Sequence, residues 1–546
     1  MKIIKGRIIT GVLSGFLLTT PVTGLMYLTY QWVKLPFVPF DLFDWVTRVL
    51  PGRLVTFGID MMIDIFRLLR INVANSAKSA EQIIAIVQFL VGGMILGGIC
   101  FGIYNRFKSR LDSISGIITG IVAGTPFIVI SIAIGQSPDS PLFKVPWLLI
   151  LFLLWGIGIA EIYNKLTWRT DEKQAVSEED SASMKTGRRR FLWRISGYAA
   201  VITLSGTYIG AVLSRMKRSS VMNELNTTMA HRTETGNGIP FPNLNNPVVP
   251  APGTRPEYTP VKDFYKVYIR TEPTIINGST WRLPITGMVK NPLMLSLDEI
   301  KNNFRPYNYF ATISCISGRI GTNLISTTMW TGAGLQDILA NAGVKEGAKY
   351  LYITSGDGYY ETVDLELIAA DKRIMLCYGW DGNDLPVNHG YPLRIWIPNK
   401  YGMKQPKWIT GIEVTDKYKE GYWVERGWDA VANVKTTSVI DTVAVNAVYE
   451  SGGKDLIPVG GIAFSGDRGI SKVEVKVNDA PWKEARLRSP LSDTTWVIWR
   501  YNWPMEKGEH VFQVRCYEGD GKPQILVENP AHPSGATGVD TYKVTI

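Results

Sequence analysis

The sequence predicts a multi-domain chain: an N-terminal transmembrane α-helical anchor, a central α+β domain, and a C-terminal immunoglobulin-like β-sandwich. Three observations carry that reading. Apolar residues make up 46% of the 546, and they concentrate before about residue 215 in runs long enough to cross a bilayer. From about residue 261, short strand-like runs alternate with Gly-rich turns and a few helical stretches, such as 296–303 and 333–342. From about residue 441 the pattern is purely of period two, as in strands with one buried face.

The first domain, residues 1–215, holds five segments of membrane length: 8–30, 82–104, 113–135, 146–164 and 195–213. Each is mostly apolar, with the Gly and Ser that membrane helices tolerate. The stretch 52–71, GRLVTFGIDMMIDIFRLLRI, differs. Arg53, Asp60, Asp64 and Arg67 recur on one helical face with Leu, Ile, Met and Phe opposite, which predicts an amphipathic helix lying on the membrane. Basic clusters stand at Lys2/Lys5/Arg7, at Arg106/Lys108/Arg110 and at Arg188/Arg189/Arg190/Arg194. Five spans with a non-spanning 52–71 put all three clusters in the cytoplasm, as the positive-inside rule asks, and everything after residue 215 outside. GRRRFLWR at 187–194 reads either as a basic flank of the last span or as a twin-arginine export motif, with Arg188, Arg189, Phe191 and Leu192 in the matching places.

Residues 216–260, rich in Pro and Asn, read as a linker with little to bury. The central domain then spans 261–440 and the sandwich 441–546. In the sandwich, Val473, Val475 and Val477 alternate with charged residues, and Phe512, Val514 and Cys516 share a strand face.

Composition excludes some classes. Four cysteines make no disulfide framework. Cys100, Cys377 and Cys516 lie in apolar or strand-like runs and read as small buried hydrophobes. The net charge of +10 sits largely beside the apolar runs, where topology accounts for it, and no nucleic-acid-binding motif is present.

Cys315 is the exception. It stands in ATISCISGR, after a strand-like run and before a Gly-containing loop. Then come W-x-G at Trp330, H-G-x-P-x-R at His389–Arg394, and K-W at Lys407–Trp408. This ordered set, with YWVERGW and GIAFSGDRGISKVEVKVNDAPWKEA behind it, resembles the sulfite oxidase family of molybdenum enzymes over about residues 262–546, and the spans and the RGW ending are closer to its bacterial membrane-anchored members. The resemblance implies a molybdenum–molybdopterin cofactor with Cys315 as the protein's metal ligand. A thiolate is a soft donor suited to such a metal, and one suffices where the pterin brings two sulfurs. It implies His389, Arg394 and Lys407 as contacts to the pterin and its phosphate, which call for fixed cations and donors. Arg319 and Lys404 occupy basic positions of the same motifs, and Asn323 and Ser317 lie near Cys315. It also implies a homodimer formed through the C-terminal domain.

Two departures from the family pattern bear on substrate. The Arg that follows the family's opening aromatic pair corresponds here to Val267, in FYKVYIR, and the Tyr near the metal corresponds to Trp428, which we take as the catalytic-position aromatic. Arg270 and Arg426 are near in sequence but at other positions. For electrons, the chain has no C-x-x-C-H, and its histidines, His231, His389, His510 and His532, lie outside the spans, so a bis-histidine haem in the bilayer is not built from this chain. The reading is therefore a multi-pass membrane protein whose extracytoplasmic domain performs oxygen-atom transfer or related two-electron chemistry on a small molecule, exchanging electrons with a separate redox partner or quinone. The rival readings are a reductase of a sulfoxide or similar oxide, and a tethered binding protein without redox activity.

Overall fold

The computed structural model describes residues 2–69, 73–107, 111–134, 141–168, 193–213, 235 and 238–546. Arg188 and Arg189 of the export motif, His231, and Lys108 and Arg110 of the second basic cluster lie outside the described residues.

Two compact units divide the chain: residues 1–50 with 79–227, and residues 51–78 with 228–546. The N-terminal helices are α1 (Lys2–Val33), α2 (Val38–Val49), α3 (Gly52–Leu68), α4 (Val73–Phe107), α5 (Ser113–Ile134), α6 (Pro141–Tyr163) and α7 (Trp193–Leu213). Five contain a stretch long and apolar enough to cross a membrane: Arg7–Val33, Ser76–Arg106, Ser113–Ile134, Leu142–Leu166 and Trp193–Leu213. These coincide with the five segments expected from hydropathy. In the first unit α5 meets α6 through Gly116, Gly120 and Gly124. A Cβ at Gly120 would stand 2.5 Å from the Phe152 carbonyl oxygen, so only glycine permits this backbone approach, as in small-xxx-small helix pairs.

The second unit holds the site. Its strands are β1 (Arg282–Gly287), β2 (Leu293–Ser296), β3 (Pro306–Ser314), β4 (Ile325–Gly334), β5 (Tyr350–Ser355), β6 (Tyr360–Asp364), β7 (Met375–Trp380), β8 (Asn383–Asp384), β9 (Arg394–Trp396) and β10 (Ile409–Thr415). One sheet runs β2-β1-β10-β5-β6; the other runs β3-β4-β7-β8, with β9 also on β7. Among the described residues of this domain, β1 and β10 are the one parallel pair. Three short helices complete the domain: α8 (Leu297–Asn303), α9 (Leu335–Ala342) and α10 (Leu365–Ala370). A capping box starts α8: Ser296 accepts from the Glu299 amide and the Glu299 carboxylate accepts from the Ser296 amide.

Alternation along β7 sets the two faces of the second sheet. Leu376 and Tyr378 join the main core with α8, α9 and the first sheet. Met375 and Cys377 face the other way, and beyond the register shift that leaves Tyr378 unpaired with β4, Trp380 joins them, in a cluster with Ile313, Trp330, Trp396 and Cys315. The site lies on that second face.

Two segments differ from the sequence reading. The first is α3. It is amphipathic, as its pattern predicts, but its inner face packs on protein: Ile63 is 2% exposed, and with Ile59, Met62 and Phe66 it joins the cluster of Phe264, Tyr265 and Cys315. Apolar periodicity marks a face to be buried without saying what buries it. The second is the expected linker. From Ile239 to Pro260 the chain is bound to both flanking domains. The Thr259 amide donates to Thr327 O of β4 at 2.9 Å, while Arg255 pairs with Asp441 at 2.6 Å and Arg488 with Glu257 at 2.9 Å. Phe241 and Tyr258 stack at 5.5 Å and are buried with Met329 and Leu491. Proline removes donors and fixes φ, which suits an extended strap as well as a loose linker.

The C-terminal region is β-rich. One antiparallel sheet contains strands 437–443, 454–464 and 497–504; the other contains 470–477, 509–518 and 540–545. Their facing residues form one core, which includes Val473, Val475, Trp499, Phe512, Val514 and Cys516.

Candidate active site

Cys315 is the first residue beyond β3. Its amide donates to Leu324 O at 2.9 Å, which closes the β3–β4 loop at its base. The half-buried thiol lies 3.1 Å from Ser317 Oγ. Burial pushes the thiol pKa up, while the Ser317 hydrogen bonds and Lys407 pull against it. Asn323 is exposed on the same loop.

Three cationic or donor side chains, brought from another part of the chain, share this region. His389 ends a short 3-10 turn, Val387–His389. Its buried ring packs 4.6 Å from Trp380 and 5.1 Å edge-on to Phe264. Burial, then Lys407, Arg394 and Lys266, holds its pKa well below the usual imidazole value, so it is neutral. Arg394 opens β9. Its guanidinium lies 4.5 Å over Trp330, donates to His389 O at 3.1 Å, and is pulled by burial down to about 10. Lys407 donates to Val267 O at 2.8 Å; burial and the nearby Arg394 lower its pKa well below the ordinary lysine value. Gly390, at φ +118°, lets Arg394 and Lys407 converge: a Cβ there would meet their Cβ atoms at 3.2 and 3.1 Å.

The electrostatics are unbalanced in one direction. Among the described residues, His389 Nε2 and Arg394 Nε are buried with no hydrogen-bond partner. Asp357 is the carboxyl that acts on Lys407; its own pKa is raised by burial, against Lys407 and Arg270. Buried donors and cations without acceptors are expensive. The cluster is complete only with an anionic, acceptor-rich ligand beside a soft metal donor at Cys315. A phosphate-bearing pterin with its metal fits that donor set.

Other sequence-nominated residues are engaged by protein groups around the site or farther from it. Lys404 is buried and pairs with Glu361 at 2.6 Å, donating also to Thr362 O at 2.9 Å. A protein carboxylate thus takes up its charge. Arg319 pairs with Asp60 and Asp64 of α3, each at 3.4 Å. Trp428 is buried in a cluster with Ile316, Tyr401 and residues of the C-terminal region such as Phe464. Its ring lies 5.0 Å from His532, and its Nε1 has no partner among the described residues. Arg426 lies 3.6 Å over the Tyr422 ring, whereas Arg270 is buried and acts on Asp357.

Sequence reasoning passed over Tyr265, Asp357 and Glu361. Tyr265 is buried beside Gly402, whose Cβ would come within 2.9 Å of its hydroxyl; burial, then Cys315, raises its pKa well above the usual phenol value. Asp357 sits in SGDGYY, a turn-like signal that says nothing of the cations it faces. Glu361 lies in a strand of ordinary composition, and its burial is not legible locally.

A family model described as "Oxidoreductase molybdopterin binding domain" matches residues 270–423. The oxidoreductase YuiH of Bacillus subtilis (strain 168) is 32% identical over 148 residues, 27% of this chain and 72% of YuiH. The NADH nitrate reductase 1 of rice (Oryza sativa subsp. japonica) is 28% identical over 293 residues, 42% of this chain and 32% of that protein. The mitochondrial sulfite oxidase of Macaca fascicularis is 25% identical over 285 residues, 44% of this chain and 52% of that enzyme. The chain thus spans about a third of the rice reductase and half of the sulfite oxidase.

Proposed function

Because the chain belongs to the sulfite oxidase family of molybdopterin-binding oxidoreductases, whose members use a molybdenum cofactor, we propose that it is a membrane-anchored oxidoreductase acting on a small substrate outside the cytoplasm. The reaction is oxygen-atom transfer or a related two-electron step. One observation carries this: Cys315 belongs to the cluster of Phe264, Trp330 and Trp380, the rings on which His389 and Arg394 pack, and among the described residues His389 Nε2 and Arg394 Nε are buried there without a hydrogen-bond partner.

In this reading the Cys315 thiolate holds the metal, and Ser317 steadies its sulfur. Arg394 and Lys407 neutralise the phosphate end of the pterin, and His389 offers a neutral ring nitrogen to it. The bound molybdenum supplies two-electron redox capacity. The residues of the chain hold, orient and desolvate. Trp330, Trp380 and Phe264 wall the site and lower its effective dielectric, which strengthens each charge-assisted contact.

Membrane anchoring and the outward-facing domain rest on five membrane-length helices and three basic clusters. The immunoglobulin-like reading of the C-terminal region rests on its two facing antiparallel sheets, and the homodimer through that region on the family resemblance. Electrons come from or go to a separate membrane partner or quinone. A reductase of a sulfoxide or related oxide is the second reading. It is favoured by the loss of polar substrate groups at Val267 and Trp428.

The test is metal content. Purified protein should carry about one molybdenum per chain, and Cys315→Ser should leave a folded protein whose metal is lost or inert. Full activity in that variant removes the assignment. Reporters fused in the 216–234 stretch should score extracytoplasmic, and Arg188→Lys with Arg189→Lys should trap the domain if the twin-arginine route exports it.

A further inference from the structure

We infer that α3 is a two-sided strap that covers the Cys315 cluster with one face and lies in the interfacial layer of a bilayer with the other. The inner face is Ile59, Met62, Ile63 and Phe66, packed into the cluster that includes Cys315. The outer face is Leu54, Phe57, Met61, Ile65 and Leu68, which are 56, 65, 51, 45 and 83% exposed. Their spacing of i, i+3, i+7, i+11 and i+14 makes one continuous stripe, on the side of the helix opposite the inner face.

Contiguous exposed apolar side chains on a helix call for a partner. Three features choose lipid. First, only residues 69–75 separate α3 from the membrane-length segment Ser76–Arg106. Fully extended, that connection spans at most about 29 Å, so the helix is leashed to the membrane. Second, the stripe is one helix wide and about 21 Å long, narrow for a stable protein interface of about 800 Å² per partner. Lipid requires no shape complement, and an interfacial helix sinks its apolar face about 5–10 Å. Third, charge does not oppose it. Asp60 and Asp64 on the flank share Arg319, and exposed Arg53 offsets the carboxylate charge left over, so the flank carries no net charge against anionic headgroups. The catalytic cluster is thereby held at the bilayer surface, within reach of a lipid-soluble electron carrier.

This inference rests on the anchoring reading above, and the test separates the two. Nitroxide labels are placed on the full-length holoenzyme at Phe57→Cys, Met61→Cys and Ile65→Cys. Ile95→Cys, 56% exposed within a membrane-length segment, serves as the lipid reference and exposed Lys522→Cys as the aqueous one. Labelled unsubstituted protein supplies the blank. In phosphatidylcholine–phosphatidylglycerol vesicles, collision with oxygen is compared with collision with a water-soluble nickel chelate. The α3 labels should favour oxygen as Ile95 does, several-fold above Lys522. If they behave as Lys522 does while Ile95 remains lipid-like, the strap inference falls alone. If both reagents are shut out at α3, protein covers the stripe and the inference also falls. If Ile95 too behaves as aqueous, anchoring and strap fall together.

Discussion

Replacing Arg394 by methionine should push apoprotein stability and cofactor retention in opposite directions. The guanidinium is buried, has no carboxylate partner among the described residues, and is pulled down to about 10. Against an ordinary value of about 12.5, that depression is about 3 kcal/mol of penalty in the apoprotein. The folded state binds this proton less tightly than the unfolded state, so stability rises with pH only between those two values. At neutral pH the group is charged in both states and the whole penalty is present. Methionine is of similar length and removes the charge, but it forfeits the contact with Trp330 at 4.5 Å, about 0.5–2 kcal/mol, and the hydrogen bond to His389 O at 3.1 Å, about 1 kcal/mol. The net expectation is an apoprotein more stable by up to about 1.5 kcal/mol. The holoprotein loses a charge-assisted contact of about 1.5–3 kcal/mol, so retention weakens about 10- to 100-fold. Thermal unfolding of protein from a cofactor-deficient host reads the first effect, and molybdenum per chain after dilution and gel filtration reads the second. An apoprotein destabilised by several kcal/mol with undiminished metal would refute the reasoning, because Arg394 would then be a structural cation.

Three further outcomes follow from the same geometry. Glu361→Gln strands the buried Lys404 ammonium and should destabilise by about 3–5 kcal/mol, with much of the loss recovered in the double variant Glu361→Met/Lys404→Met; denaturant unfolding measures both, and a single-variant loss near zero refutes the pairing. Burial pushes the Glu272 carboxyl up to about 7, so the folded state holds its proton more tightly than the unfolded state; stability should decline from pH ~4.5 to ~7 by up to about 3 kcal/mol and then level off, and Glu272→Gln should be flat across that window. If, as proposed, Val267 and Trp428 stand where sulfite oxidases place two charge-assisted contacts, sulfite turnover with ferricyanide should be slower than in those enzymes by about a hundredfold or more; rapid, saturable oxidation at micromolar sulfite would overturn this, and sulfoxide reduction with a viologen donor is the companion assay.

Much of the architecture was legible from the amino-acid order. The five membrane-length helices appear where apolar runs of about twenty residues stand, because the length and composition of such a run can be counted along the chain. Helices at 297–303 and 335–342 follow short amphipathic windows, and the β-rich C-terminal region follows period-two alternation around Val473, Val475, Phe512 and Val514. Cys315, His389, Arg394 and Lys407 were visible because each sits in a short motif whose order along the chain is itself information.

The rest depended on neighbours distant in sequence. Nothing near Lys404 in the chain announces that Glu361 will neutralise it, and Arg319 meets Asp64 across 255 residues. The stretch 239–260 reads as a linker because prolines leave no periodicity, yet it binds both domains through Arg255, Glu257 and Thr259. In α3 the apolar stripes were plain, but only packing assigns Ile63 to the Cys315 cluster and leaves Met61 outside. The sequence by itself determined which segments are apolar, which alternate, and which motif residues carry charge or sulfur, because those properties belong to single residues and to spacings within a few turns. Which charge meets which, which buried donor is left without an acceptor, and which side of a helix meets protein were decided only by the tertiary structure, because Coulomb and packing energies depend on distances in space that chain order does not encode.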